Sequence, residues 1–193
     1  MRCVRALDVA LFELLNAGVA APAWSIAFAR FASDVLPTLL AAAILCGALF
    51  DRRLRYACFT AVVGVLAVWL LVNVFRSVLP FPRPAFFGLG VQWEPQGMRP
   101  GFPSLHAAGT FAAAFALWCL PRRGPMFAAL AIAAVVGWSR VFLGLHFPTD
   151  VVVGAMFAAL VSIGVERCVS RPLNLALRAW MRPRLRARRA RAA

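Results

Sequence analysis

The chain contains no lysine: all 21 of its basic residues are arginine, set against only seven Asp and Glu. Histidine occurs twice, tyrosine once, and charged residues of every kind make up only 15% of the sequence. With 63% hydrophobic residues and a mean hydropathy of +0.80, so little charge excludes a soluble globular domain, which could not hide so much apolar surface. A polytopic membrane protein is implied. Cys3, Cys46, Cys58, Cys119 and Cys168 are scattered with no Cys-x-x-Cys pair, so neither a disulfide framework nor a zinc site is indicated. Carboxylates and histidines nowhere cluster at metal-ligand spacing, so metal-independent chemistry without a cofactor is expected. The net charge of +14 would suggest nucleic acid in a soluble protein. In a membrane chain it points to topology and anionic lipid headgroups, with no nucleic-acid partner.

The long apolar runs set the expected architecture: all-α, a polytopic helical bundle of five transmembrane helices plus an N-terminal interfacial helix. In residues 1–20, Leu7, Leu11, Leu14 and Leu15 share one helical face while Asp8, Glu13 and Asn16 lie on another. Such a pattern fits a helix lying in the membrane interface, with a short sixth crossing as the rival. Crossings are expected over Val35–Phe50 (extending back as far as Trp24), Tyr56–Phe75, Leu105–Leu120, Met126–Phe142 and Thr149–Cys168. Between the second and third lies the longest polar interval, 76–104, where Pro80, Pro82 and Pro84 exclude a regular membrane helix. A loop of that length usually carries function. Trp93 and Glu94 within it are expected at the interface, and Arg99 near headgroups, with contact to a second phosphate as its alternative. Arg30 and Asp34 are expected to pair across one helical turn.

Arginine placement gives an expected orientation. Arg52, Arg53, Arg55, Arg122, Arg123 and nine arginines from Arg167 onward fall on one side. Arg76, Arg83, Arg99 and Arg140 fall on the other. The positive-inside rule makes the first side cytoplasmic. Residues 1–170 are then a single membrane domain, and 171–193 an Arg-rich cytoplasmic tail in contact with anionic headgroups. His106 and His146 share the outer face.

Three clusters gather on that face. They are Arg76-x6-Arg83-Pro84, Pro103-Ser104-Leu105-His106, and Ser139-Arg140-x5-His146-x3-Asp150. Together they resemble the three signature motifs of the type 2 phosphatidic acid phosphatase superfamily, which includes membrane lipid phosphatases and vanadium haloperoxidases. Arg76 stands where the family pattern has lysine, and Leu105 where it has glycine. Within the family, the compact size and short N-terminus look most like the bacterial undecaprenyl pyrophosphate phosphatases.

The residue chemistry agrees with the resemblance. Phosphoryl transfer needs charge stabilisation on the equatorial oxygens, which arginine forks supply bidentately. Arg76, Arg83 and Arg140 are the expected substrate clamp. Ser104 is placed to begin a helix whose N–H groups face an anion. Asp150, four residues after His146, can hold one ring nitrogen and leave the other free to attack. The expected roles are therefore His146 as nucleophile, forming a phosphohistidine, and Asp150 as its orienter. His106 is the expected acid on the leaving oxygen and then the base for water.

The expected activity is hydrolysis of a lipid phosphate or pyrophosphate at the outer leaflet of the bacterial inner membrane. Undecaprenyl pyrophosphate, going to undecaprenyl phosphate, is the leading substrate by analogy. A phosphatidylglycerophosphate or lipid A phosphatase, or a lipid phosphotransferase, is the close alternative. An inactive lipid-binding or transport component is the alternative of another class.

Overall fold

The computed structural model describes residues 2–95, 99–176 and 179, and among these every regular element is helical. Seven α-helices follow in order: α1 (Arg2–Leu15), α2 (Ala23–Asp34), α3 (Leu36–Phe50), α4 (Arg52–Val78), α5 (Leu105–Ala116), α6 (Gly124–Phe142) and α7 (Pro148–Val165). A 3₁₀ turn spans Pro84–Phe87, a second continues α5 over Leu117–Cys119, and a π-helical turn over Glu166–Ser170 prolongs α7. Of the expected tail, 171–193, residues 177–178 and 180–193 lie outside the described residues.

The bundle is built around α5, which packs against α4, α6 and α7. Its buried face is almost entirely alanine: Ala107, Ala108, Ala112, Ala114 and Ala116. Small residues let neighbouring helices approach closely where lipid leaves no hydrophobic drive between them. Val68 and Val72 of α4 and Ala158 of α7 close around Ala108 and Ala112. The large apolar residues point the other way. Leu45, Leu49, Leu66, Leu70, Met156 and Leu160 are all exposed. Alanine inside and leucine outside is the arrangement of a bundle solvated by acyl chains, and the chain is an integral membrane protein.

Among the described residues, three helices are long and apolar enough to cross a bilayer: Leu54–Val78, α6, and α7 with its continuation to Ala176. The expected first crossing is a bent pair, α2 and α3, meeting at 41°, which makes a fourth span if the pair crosses as one. The bend has a local cause. Pro37 is the second residue of α3; it has no N–H to give the Ser33 carbonyl one turn back, so α2 ends at Asp34. The expected third crossing is shorter than the sequence suggests. The α-helical part stops at Ala116, 12 residues and about 18 Å, and the run continues only as a 3₁₀ turn to Cys119, below the roughly 30 Å of hydrocarbon.

Helix α1 has 14 residues, too few to cross. Its leucine face looks outward, with Leu7 63% and Leu14 79% exposed, while Phe12 is fully buried against the bundle. Two local expectations change. Arg30 forms no ion pair with Asp34 and instead donates to the Trp93 carbonyl at 2.8 Å. Trp93 and Glu94 are half-buried rather than surface groups. The Trp93 indole Nε1 donates to the Ala17 carbonyl at 2.9 Å, and its backbone N–H to the Leu143 carbonyl at 3.1 Å.

Candidate active site

The seven expected site residues come from five separate elements that all end at one face of the bundle. Arg76 lies in the last turn of α4, Arg83 in the loop beyond it, and Ser104 and His106 at the start of α5. Arg140 sits in the last turn of α6, and His146 and Asp150 lie at the start of α7.

How Arg140 and His146 come together is a matter of helix-end geometry. Helix α6 stops in a Schellman arrangement: the Leu145 N–H reaches the Arg140 carbonyl at 3.0 Å, and the Gly144 N–H the Val141 carbonyl at 3.0 Å. Gly144 takes φ +80°, a left-handed conformation that a side chain resists, and a Cβ there would meet the Val91 carbonyl oxygen at 2.2 Å. The chain thus reverses within six residues, and the His146 N–H also finds the Arg140 carbonyl, at 3.2 Å.

His146 is 1% exposed, and its Nδ1 lies 3.0 Å from Asp150 Oδ2. That same oxygen accepts the Phe147 N–H at 3.0 Å, tying the carboxylate to the loop as well as to the ring. With Nδ1 carrying the proton toward Asp150, Nε2 keeps its lone pair. Arg83 Nη1 sits 3.4 Å from Nε2. Burial, and then the charges of Arg83, Arg140 and Arg76, hold the imidazole well below its ordinary 6.5, so the ring is neutral at physiological pH. Burial and the neighbouring arginines also bring Arg83 down to about 10, which still leaves it charged at neutral pH.

Arg76 and Arg83 are fixed by carbonyls and Arg140 by a hydroxyl, and Arg76 and Arg140 keep donors unused. Arg76 Nη2 donates to Gly101 and Pro103 at 3.1 and 2.7 Å, on either side of the turn that delivers Ser104. Arg83 donates from Nε to the Arg99 carbonyl and from Nη1 to the Leu145 carbonyl, both at 3.0 Å. Arg140, 1% exposed, is held by the Ser33 hydroxyl. Ser104 donates its N–H to the Asp150 carbonyl at 2.9 Å. After these bonds, four buried side-chain polar atoms among the described residues lack a partner: Arg76 Nε, Ser104 Oγ, Arg140 Nε and Ser170 Oγ. Three of the four belong to the expected substrate-binding set. A buried donor left unsatisfied costs about 1–3 kcal/mol, so three in one site imply an acceptor-rich occupant.

His106 is the exposed member of the set. It lies in the wall of an apolar groove of about 260 Å³ between α3, α4 and α5, which is also lined by Pro37, Leu40, Val65, Gly109 and Ala113. Arg99 is exposed, and its carbonyl rather than its guanidinium meets the site, through Arg83. Among the described residues no three His, Cys, Asp or Glu side chains group as metal ligands. Sequence reasoning missed Ser33, the partner of Arg140 from 107 residues away. The Pro37 break that places Ser33 at a helix end was its only local signal.

Comparison with known proteins bears on the same face. A family model described as the PAP2 superfamily matches residues 53–173, which hold all seven site residues. The Escherichia coli protein YbjG, named provisionally as an undecaprenyl-diphosphatase, is 29% identical over 184 residues, 91% of each chain. A lipid A 1-phosphatase of Rhizobium johnstonii is 44% identical over 110 residues, 51% of this chain and 44% of its own. Among solved structures, Aquifex aeolicus LpxE superposes with a TM-score of 0.69 at 22% identity, over 81% of this chain and 93% of its own. The PAP2-type phosphatidylglycerolphosphate phosphatase of Bacillus subtilis gives 0.66 at 23% identity over 86% of each.

Proposed function

The chain belongs to the PAP2 superfamily, and from that premise we propose that it hydrolyses a lipid diphosphate, undecaprenyl diphosphate to undecaprenyl phosphate, through a phosphohistidine on His146. As a PAP2-family phosphatase it is a hydrolase of phosphate esters; the lipid and the residue roles are the proposed part. One observation carries the reading: a buried His146 with Nδ1 held by Asp150 and Nε2 facing Arg83 at 3.4 Å.

His146 Nε2 attacks the terminal phosphorus, and the bond to the bridging oxygen breaks. His106 protonates that oxygen as the lipid monophosphate leaves. The terminal phosphoryl oxygens lie against Arg76, Arg83, Arg140 and Ser104, and the unused donors of Arg76, Arg140 and Ser104 are groups a phosphate satisfies. A water molecule then gives its proton to His106 and attacks the phosphohistidine, releasing phosphate and restoring the ring. Three guanidinium charges meet the developing negative charge, so the account calls on no metal or cofactor. A lipid substrate is supported by the apolar groove at His106, which can take the first part of a hydrocarbon tail. The diphosphate is supported by the name of the relative that matches along 91% of the chain. A lipid A phosphatase is the second reading, favoured by the 44% identity of the shorter match.

The proposed topology has five crossings, with the bent pair α2–α3 and the short α5 each counted as one. The site opens to the periplasm, and the arginines from Arg167 onward lie on cytoplasmic anionic headgroups. Phe86→Cys in a cysteine-free background should react with an impermeant maleimide from outside; labelling from the cytoplasm alone overturns the orientation. The activity is tested by phosphate release from polyprenyl diphosphate, phosphatidylglycerophosphate and lipid A without added metal. Fastest turnover is expected on the diphosphate; release from none of the three overturns the reading.

A further inference from the structure

Helix α1 lies wholly outside the segment matched by the family model, which begins at residue 53, yet it reaches the loop that carries His146 and Asp150. Asp8 and Asn16 of its polar set are turned into the protein, while Glu13 is exposed. Asp8 Oδ1 accepts the Thr149 backbone N–H at 3.0 Å, and Oδ2 accepts the Thr149 hydroxyl at 2.6 Å. Two turns further on, Asn16 Nδ2 donates to the carbonyls of Val91 and Phe142 at 3.0 and 3.1 Å, and its Oδ1 accepts the Val91 N–H at 2.7 Å. Between them the buried Phe12 ring packs edge-on against Phe147, with centroids 5.5 Å apart. Gly90, at φ +64°, leaves room for this contact: a Cβ there would stand 2.4 Å from Asn16 Oδ1 and 2.7 Å from Phe12.

These contacts flank the reacting pair. Phe147 adjoins His146, and Thr149 adjoins Asp150. Thr149 is the second residue of α7, where a backbone N–H has no partner within its own helix. Asp8 supplies one from another helix, with a negative charge at the positive end of the α7 dipole. The outward face of α1 meanwhile carries exposed Leu7, Leu11 and Leu14. The helix therefore stands between the bilayer and the first turn of α7.

We propose that α1 is a brace for the nucleophile's loop and that Asp8 is its positioning residue, fixing the Asp150–His146 pair through Thr149. The proposal rests on the reading of His146 as nucleophile. Asp8 touches neither substrate nor ring. It sets the rotation of the first turn of α7, and with it the direction in which Asp150 aims Nδ1 and hence Nε2. Loss of the brace should therefore slow attack on phosphorus and leave substrate binding, which the arginines carry, nearly unchanged.

The test is steady-state kinetics on the full chain in detergent, with farnesyl diphosphate as probe and rates normalised to folded protein by gel filtration and thermal melting. Asp8→Ala should lower kcat about 10–100-fold, the loss expected for a reacting group displaced by about 1 Å, with KM within about twofold. Asp8→Asn retains an acceptor for the Thr149 N–H and should recover most of the rate. Thr149→Val, which keeps the backbone bond, should fall between the two. The double variant Asp8→Ala/Thr149→Val should be no slower than Asp8→Ala alone, because both remove one interaction. Glu13→Ala, on the exposed side of the same helix, should match the parent. A parental kcat in folded Asp8→Ala overturns the proposal, as does a rise in KM at unchanged kcat. Should Asp8→Ala fail to fold, Thr149→Val decides by the same criteria. His146→Ala run in parallel separates the two layers: phosphate release by that variant overturns the nucleophile assignment, whereas an inactive His146→Ala beside a fully active Asp8→Ala overturns the brace alone.

Discussion

Both ends of the bundle carry arginines beside a cavity, and the larger cavity is at the wrong end for the proposed chemistry. Away from the histidines, a space of about 450 Å³ is lined by Thr60, Cys119, Ser162, Glu166, Arg167 and Arg171, against about 260 Å³ for the groove at His106. The two sets of arginine differ in what holds them. At the far end Arg167 and Arg171 are exposed, Arg123 stacks 4.2 Å over the Trp118 ring, and Arg55 caps the end of α3 through the Ala48 and Leu49 carbonyls. Glu166 is already engaged there by the Tyr56 hydroxyl at 3.4 Å. At the histidine end Arg76 and Arg83 are pinned by carbonyls and Arg140 by the Ser33 hydroxyl, yet Arg76 and Arg140 keep buried donors unused. Ser170 Oγ is the one such atom at the far end among the described residues, and no cation is orphaned with it. Volume therefore says little about where phosphate binds. Fixed, buried and unsatisfied donors on cationic side chains say more, because a phosphate offers them both acceptor oxygens and opposite charge.

That contrast can be broken in graded steps. His146→Ala should remove the phosphohistidine route and reduce phosphate release by on the order of 10⁴-fold or more, with the thermal midpoint in detergent confirming a folded protein. Arg140→Lys keeps the charge but loses the fork; with about 1.5–3 kcal/mol for a hydrogen bond to a charged group, kcat/KM should fall roughly 10–100-fold. Ser33→Ala frees the Arg140 guanidinium without changing any charge, and about 1 kcal/mol predicts a loss near fivefold. Arg167→Ala with Arg171→Ala at the other end should leave kcat within about twofold, the scale of an exposed charge. Equal losses at the two ends would erase the distinction drawn between them.

The pH profile sharpens the same contrast. Only neutral imidazole can attack, and burial with its arginine neighbours holds His146 well below 6.5. The neutral form therefore persists as pH falls through 6.5, and the acid limb that His146 imposes on kcat/KM lies below that value. An acid limb at 6.5 or above that disappears in Arg83→Gln would contradict the electrostatic picture.

The sequence made the site more legible than the fold. Each site residue sat in a short spacing whose chemistry has a local meaning. One example is His146 four residues before Asp150, across a helix start, which the structure sets at 3.0 Å. Helix ends were harder. The apolar run over 35–50 hides the break that Pro37 forces in the expected first span, and the run over 105–120 does not reveal that α5 gives way to a 3₁₀ turn at Leu117. Long-range partners were least accessible. Ser33 meets Arg140 across 107 residues and Asp8 meets Thr149 across 141, and no local periodicity encodes such pairs. Asp8 and Asn16 were visible as the polar face of an amphipathic helix, where water is the expected partner. In the structure these two turn inward, Glu13 stays exposed, and the leucines turn to the membrane.

The most direct measurement traps the intermediate. His106→Ala, which lacks the base for the second step, is mixed with a lipid diphosphate radiolabelled at its terminal phosphorus and quenched in alkali, where phosphohistidine survives. Peptide mapping should place the label on His146, and Asp150→Asn introduced into the same background should reduce the rate at which it appears. Label on another residue, or continued turnover with no labelled protein at any quench time, would contradict the assignment of His146 as the nucleophile.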